Sequence, residues 1–568
     1  MIFNFVRKHA VVIFVILVGI FASRDMLIPG YFPMHDDLQM MRQLQMDKCF
    51  RDGQIPCRWV ADMGYGYGFP LFNFYPPLPY LVGEVIKTVG FPFTATVRIT
   101  FLLSIVLSGV TMYFLAREFW GKLGGVVSSV FYIWAPYHAV DVFVRGAMNE
   151  SWALVWFPLI FLASYKLLSA EGSKITRWLI VLSLSWAALL LSHNVMVLIF
   201  TPLFAFWCFL WVLRKKSWKR IPKLIISGIW ALGLAAFFSI PVFFEQKYVH
   251  IETLTQGFYE YFAHFVSVNQ LFLSRFWDYG ASLWGPIDEM AFPIGHFHWI
   301  LALVIFIAWI SRLVFKKERN FDLSLVVLLL VFAGFFTAFM THSRSTPIWQ
   351  ALPFLSILQF PWRFLTIVIF AFSFLAGAIV IILNSWNKKL ARGLVVLLVF
   401  SVVLWNFEFF RVERTGPVTD QEKFSGEAWR LQQTAGIYDY LPKTATIAPQ
   451  SPRSDAVEIV SGSAVIKEVK QGTNWLETKV NIDSLDSTVR INIFQFPGWR
   501  VFVDGKEKEI RLLKDDQLGR IHVDVPQGEH NIEVRLFNTT PRTIGNTLSA
   551  ISWLALITFP KWRKKLSL

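Results

Sequence analysis

PPLPYLVGEVIKTVGF, residues 76–91, decides how this chain is threaded. If the stretch crosses a membrane, every later basic cluster changes side; if it lies flat, those clusters all share one side. Pro76, Pro77 and Pro79 cap it, and Glu84 and Lys87 interrupt it, so it is read as an amphipathic helix lying at a membrane interface.

The composition explains why a membrane is at issue. Of the 568 residues, 55% are hydrophobic, 17% aromatic and 16% charged, with a mean hydropathy of +0.49. Soluble domains carry about a quarter charged residues, so the deficit points to a polytopic membrane protein. The net charge of +15 does not indicate nucleic acid, because the basic residues sit in short clusters between apolar runs, which is the positive-inside pattern.

Runs long enough to span, at about 20 residues each, fall near 8–24, 96–116, 122–140, 150–168, 176–192, 194–213, 224–243, 299–315, 322–340, 363–384, 392–410 and 543–560, about twelve in all. With 76–91 held flat, the clusters at Arg7 and Lys8, Arg117 and Lys122, Lys166 to Arg177, Arg214 to Lys223, Lys316 to Arg319, Lys388 to Arg392 and Lys561 to Lys565 share one side. On the other side only Arg145, Arg344 and Arg363 stand out. Both termini are therefore expected in the cytoplasm of a multi-pass cell-membrane protein. The N-terminal MIFNFVRKHAVVIFVILVGIFASRD has the basic start of a secretory signal but no good small-residue cleavage site, and is read as a retained first span.

The expected architecture is a transmembrane domain over 1–410 with a long first outer loop at 24–95, an extracytoplasmic β-rich domain over 411–541, and a last helix with a basic tail over 542–568. The β-domain is read from STVRINIFQF, WRVFVDGKEKEI, RIHVDVP and HNIEVRLFN, which alternate apolar and polar residues as half-buried strands do. Asp504-Gly505 is a hairpin signal. The domain serves as a lid or cap, or binds carbohydrate; no residue in it singles out a site. In the first outer loop, Cys49 and Cys57 flank a short segment and can close a disulfide outside the reducing cytosol.

Polar residues gather where the outer loops meet the spans. His35, Asp36 and Asp37 follow the first span; Asp141, Arg145 and Glu150 lie in YHAVDVFVRGAMNES; His193 and Asn194 occupy a tight turn; Arg344 and Arg363 come later. Each has a plainer reading: a solvated carboxylate, a histidine bonded to backbone, an arginine anchoring the interface. Together they suit a substrate bearing a phosphate and hydroxyl groups, with arginines for phosphate oxygens and a carboxylate as base.

An acidic pair opening a long first outer loop, the YPPLPYLVG segment and about twelve spans resemble the GT-C superfamily of integral-membrane glycosyltransferases. GYGYGFPLFNFYPPLPY, VRGAMNES and LLLSHN are similar to the membrane proteins called 6-pyruvoyl-tetrahydropterin synthase related, although nothing here looks like a soluble pterin enzyme with a histidine zinc site. FQFPGWRVFVDGKE and VPQGEHNIEVRLFN resemble the tail of YfhO-like proteins, linked to glycosylation of cell-surface polymers. The resemblance implies inverting transfer, on the extracytoplasmic face, of a sugar from a polyprenyl-phosphate donor to a glycan, lipid or polymer acceptor. Asp36 or Asp37 would be the base, or would hold a divalent metal such as Mg or Mn, and Asp141 or Glu150 the second acid. His35, Arg145, His193, Asn194, Arg344 and Arg363 would contact substrate. The β-domain lacks the WWD-type signature of oligosaccharyltransferases, which disfavours peptide acceptors.

Two other classes fit the span count. A transporter or flippase would show two related halves and ionisable residues at mid-membrane, and neither is evident here. A non-catalytic cell-envelope scaffold would tolerate replacement of Asp36 and Asp37.

Overall fold

The computed structural model describes the backbone of residues 2–566 except 284–287, 316–319, 386 and 417, and side chains from His9 to Thr558. The basic side chains expected at Arg7 and Lys8, Lys316 to Arg319 and Lys561 to Lys565 lie outside those limits.

Among the described residues, eight helices are long and apolar enough to cross a membrane: Phe93–Ile133, Met148–Ser169, Lys174–Ser192, Asn194–Lys215, His296–Val314, Phe321–Met340, Pro361–Asn384 and Lys388–Phe409. A ninth is added if Trp218–Leu234 and Ala236–Tyr248, bent by 77°, form one span. The other three expected spans differ for identifiable reasons. The runs at 96–116 and 122–140 join in Phe93–Ile133, which breaks at Gly121, where φ is 73° and ψ 179°. The first helix, Ile2–Ala22, has 21 residues, enough for a span, but its described side chains begin only at His9. The last helix, Thr540–Leu566, is long enough, but Arg542, Asn546 and several hydroxyl residues dilute its apolar character.

The chain divides into two compact units. The first comprises Met1–Asp37, Thr94–Ala231 and Thr255–Pro417. Its central helix is Pro361–Asn384, 94% of whose apolar stretch is buried. Phe370 of that helix meets Phe161 at 5.0 Å and Phe157 and Phe200 at 6.1 Å each. Gly124 and Gly377 let two backbones touch, since a Cβ on Gly124 would sit 2.9 Å from the Gly377 carbonyl oxygen. Ser128 fastens the same crossing by donating to Phe374 O at 3.0 Å and accepting from Gly377 N at 3.2 Å.

The second unit comprises Leu38–Phe93, Leu232–Leu254 and Val418–Leu568. Its sheet has strands β1 (Val457–Ser461), β2 (Ala464–Gln471), β3 (Trp475–Phe494), β4 (Trp499–Val503), β5 (Lys506–Lys508) and β6 (Arg520–Leu536). The order is β1-β3-β6-β4-β5 with β2 also paired to β3, and every pair is antiparallel. Asp504 and Gly505 form the β4–β5 turn with φ of 48° and 78°, as a tight hairpin requires. The two runs expected at 520–526 and 530–538 form a single strand, β6. It passes Pro526 where the β3 register jumps between Ile482 and Asp486, so the missing N–H interrupts no regular ladder.

Residues 76–91 contain the helix Leu78–Thr88, whose 11 residues reach only about 16 Å, too short to span. It packs inward through Tyr80, whose hydroxyl donates to Gln39 Oε1 at 2.6 Å, and Glu84, which accepts from Gln43 Nε2 at 3.2 Å. Val85 and Val89 face outward, 68% and 75% exposed, the arrangement of a helix with an apolar outer face. Cys49 and Cys57 are joined in a disulfide. Helices Ala236–Glu245 and Thr540–Leu566 run together, with Gly545 against the Ala236 carbonyl and Ser549 donating to Gly233 O at 3.0 Å. These units cut across linear boundaries at 410 and 541: the first outer loop from Leu38 onward and the last helix join the β-domain in one unit.

Candidate functional site

The site residues of the first unit are organised by residues 136–150. The helix expected to run to 140 ends at Ile133, so this stretch lies between two spanning helices. A short turn, Pro136–Ala139, widens into a π-helical turn at Val140–Val144, in which Arg145 N donates to Val140 O at 2.9 Å. Such turns often occur at functional sites because they redirect side chains. Here the turn brings Asp141 and Arg145 into an ion pair. Arg145 Nη1 also lies 2.9 Å from Glu150 Oε2, in the first turn of the next helix.

Two aromatics and a second arginine complete the cluster. Tyr137 donates to Glu150 Oε1 at 2.8 Å and accepts from Arg145 at 3.2 Å. Arg363 Nε lies 3.6 Å from Glu150 Oε2, and its Nη1 donates to Leu358 O at 2.8 Å. The Arg145 guanidinium sits 4.4 Å from the Trp362 ring centre. Asp141 and Glu150 are wholly buried, and Arg145 and Arg363 are 8% and 9% exposed. Two carboxylates thus face two guanidiniums in a dry site, an arrangement that holds only while every partner remains. Burial, together with the Glu150 carboxylate, pushes Asp141 up from the usual carboxylate range.

The first-loop acids reach this cluster through backbone. His35 N donates to Val144 O at 3.1 Å and Asp36 N to Arg145 O at 2.9 Å. The approach requires Gly146, which has φ of 61° and whose Cβ would run into the Met34 side chain. His35 Nε2 meets Tyr279 O at 2.9 Å. Asp36 and Asp37 are half-buried, in contrast with the enclosed Asp141 and Glu150.

His193 comes near through its turn. Asn149 donates to Ser192 O at 2.8 Å and Trp156 to Ser192 Oγ at 2.9 Å, fastening the turn to the helix that carries Glu150. Burial, reinforced by Arg363, lowers His193 to about 3, so it is neutral and its Nδ1 accepts from Val195 N at 3.2 Å. The structure therefore gathers His35, Asp36, Asp37, Asp141, Arg145, Glu150, His193 and Arg363. Asn194 and Arg344 are exposed, and among the described residues neither side chain bonds to the cluster. Tyr137 and Trp362 did not stand out from an aromatic-rich sequence. The signal for Tyr137 is its spacing, since 137, 141 and 145 fall on one helical face.

Among the described residues, no group of three or more His, Cys, Asp and Glu is placed to hold a metal.

Fold and site define a polytopic helical membrane protein with a C-terminal β-domain and a buried ion-pair cluster between spanning helices. The chain belongs to the 6-pyruvoyl-tetrahydropterin synthase related family of membrane proteins, whose profile matches residues 72–411. It is 23% identical over 292 residues to an uncharacterized protein of Lactococcus lactis subsp. cremoris (strain MG1363), covering 49% of this chain and 45% of that one. The match thus spans about half the length of that relative. Among solved structures, the crystal structure of ArnT from Cupriavidus metallidurans bound to undecaprenyl phosphate is similar with a TM-score of 0.39 and 14% identity, over 71% of this chain and 75% of that one.

Proposed function

We propose that this protein transfers a sugar from a polyprenyl-phosphate donor to a hydroxyl of an extracytoplasmic glycan, lipid or polymer. Asp36 or Asp37 takes the proton of the acceptor hydroxyl as its oxygen bonds to the anomeric carbon. The bond from that carbon to the phosphate oxygen breaks with inversion, and the lipid phosphate departs with the electron pair. Arg145 and Arg363 stabilise the departing anion, since guanidinium holds its charge throughout and offers a planar fork to phosphate. Asp141, Glu150 and Tyr137 act as positioning residues that aim the guanidiniums.

The observation supporting this reading most directly is the hydrogen bond from Asp36 N to Arg145 O at 2.9 Å. It ties the backbone of the half-buried acidic pair to that of Arg145, whose guanidinium shares the Glu150 carboxylate with Arg363, and a base near an anion-stabilising arginine is what the proposed transfer needs. The Cys49–Cys57 disulfide agrees with an outer face.

The test is sugar transfer from polyprenyl-phosphate donors by the purified protein in lipid, comparing wild type with Asp36→Asn, Asp37→Asn and the double variant. Loss of a general base lowers the rate by about 10²–10⁴-fold. Undiminished transfer by the folded double variant would remove the acidic pair from the reaction.

A further inference from the structure

The second unit contains a separate polar cavity whose charges do not balance. Arg58 and Arg542 are 5% and 1% exposed, and the nearby Glu245 is 1% exposed. Both oxygens of Glu245 are engaged. Oε2 accepts from Arg542 Nε at 2.9 Å and Asn73 Nδ2 at 2.8 Å, and Oε1 accepts from Thr539. Arg58 is left with neutral acceptors: Asn73 Oδ1 at 3.3 Å, Phe237 O at 2.9 Å and Asn546 Oδ1 at 2.8 Å. Among the described residues its buried Nε–H has no acceptor. Burial, with the like charge of Arg542 beside it, lowers Arg58 to about 9, which still leaves it protonated at neutral pH.

An enclosed guanidinium without an anion is costly, and proteins meet that cost with a counter-charge. The space for one is present. A cavity of about 200 Å³ is lined by both arginines together with Gln54, Asn474 and Asn538. That volume exceeds what a single water needs by an order of magnitude. The walls are held in place. The Cys49–Cys57 disulfide closes the loop carrying Gln54, Gln54 Oε1 accepts from Arg58 N at 2.8 Å, and Phe537 N donates to Gly498 O at 2.8 Å. The rim is apolar: Ile55 and Phe537 line the cavity and are 68% and 39% exposed.

We propose that this cavity binds a phosphate-type oxyanion between Arg58 and Arg542, with the amides of Asn474 and Asn538 completing its hydrogen bonds. A lipid phosphate and a free phosphate share that chemistry. The site is distinct from the ion-pair cluster of the first unit and does not depend on the proposed transfer reaction.

The test is calorimetric titration of the full-length protein in zwitterionic detergent with two probes, inorganic phosphate and short-chain phosphatidic acid. Wild type is compared with Arg58→Gln and Asn538→Asp. Asn538 is exposed, so its replacement leaves the fold intact while placing a carboxylate at the cavity. Losing a charge-assisted bond, or adding a like charge, weakens binding by about 10- to 100-fold. Binding of both probes that falls in both variants supports the site with phosphate alone as the recognised group. Binding of phosphatidic acid only, lost in the same variants, supports it with a lipid source. No binding of either probe to wild type, or binding that Asn538→Asp leaves unchanged, overturns the proposal. A fall in affinity at these positions cannot arise from Arg145 and Arg363, so the result also stands apart from the fate of the transferase reading.

Discussion

Arg145 joins the two halves of the candidate site: its guanidinium lies 2.9 Å from the Glu150 carboxylate, while its carbonyl accepts the backbone N–H of Asp36 at 2.9 Å. One residue thus ties the backbone of the first-loop acids to the buried charges.

Replacing Glu150 leaves two buried guanidiniums with only Asp141 to oppose them. Glu150→Ala is expected to cost about 3–5 kcal/mol, the usual penalty for removing one member of a buried ion pair. Chemical unfolding in mixed micelles measures it. A cost within a few tenths of a kcal/mol would mean that the cluster contributes little to stability.

Gly146 combines a positive φ of 61° with close contact to Met34. Gly146→Ala is therefore expected to destabilise by about 1–3 kcal/mol and to displace His35 to Asp37. Adding Met34→Ala removes the steric part alone, so it should recover stability in part. Full recovery would show that the backbone conformation carries no strain, and no recovery that Met34 is not the obstacle.

His138 is fully buried, with Nδ1 3.2 Å from Tyr132 O, and burial lowers it to about 4. An unfolded histidine takes up its proton near pH 6.5, so below that pH the unfolded chain binds more protons than the native one. Stability from this residue is fully present above about pH 6.5, falls by about 1.4 kcal/mol per pH unit on acidification, and levels off below about pH 4. In His138→Gln that window should flatten, as read by unfolding at pH 4, 5, 6 and 7. An unchanged slope would assign the acid sensitivity to other groups.

Cys49 and Cys57 close a loop eight residues apart in sequence. Replacing both by serine is expected to cost about 2–3 kcal/mol from the freedom regained by the unfolded chain. The loss should appear in unfolding of the β-domain unit, which contains both cysteines. Comparing the double variant with reduced wild type separates the crosslink from the substitution itself.

Much of the fold is legible in the linear sequence because its signals are local. Apolar runs longer than a bilayer core identify the helices that follow Phe93, and period-two alternation with Asp504-Gly505 identifies β4, β5 and the halves of β6. Strand β2 escapes that pattern because charged residues such as Lys467, Glu468 and Lys470 occupy its largely exposed positions. The acidic pair at Asp36 and Asp37 and the Asp141–Arg145–Glu150 run stand out in a chain so poor in charge.

The sequence by itself determined the membrane class, the β-domain and the set of polar residues from which a site could be built. Only the tertiary structure decided the grouping: that Arg363 lies 3.6 Å from Glu150, that Asn194 and Arg344 stay outside the cluster, and that Arg58 shares a cavity with Arg542. The physical reason is distance along the chain. Helix and strand periodicity records which face of a segment is buried, whereas ion pairing depends on which segments, hundreds of residues apart, pack together and leave charges no water to face.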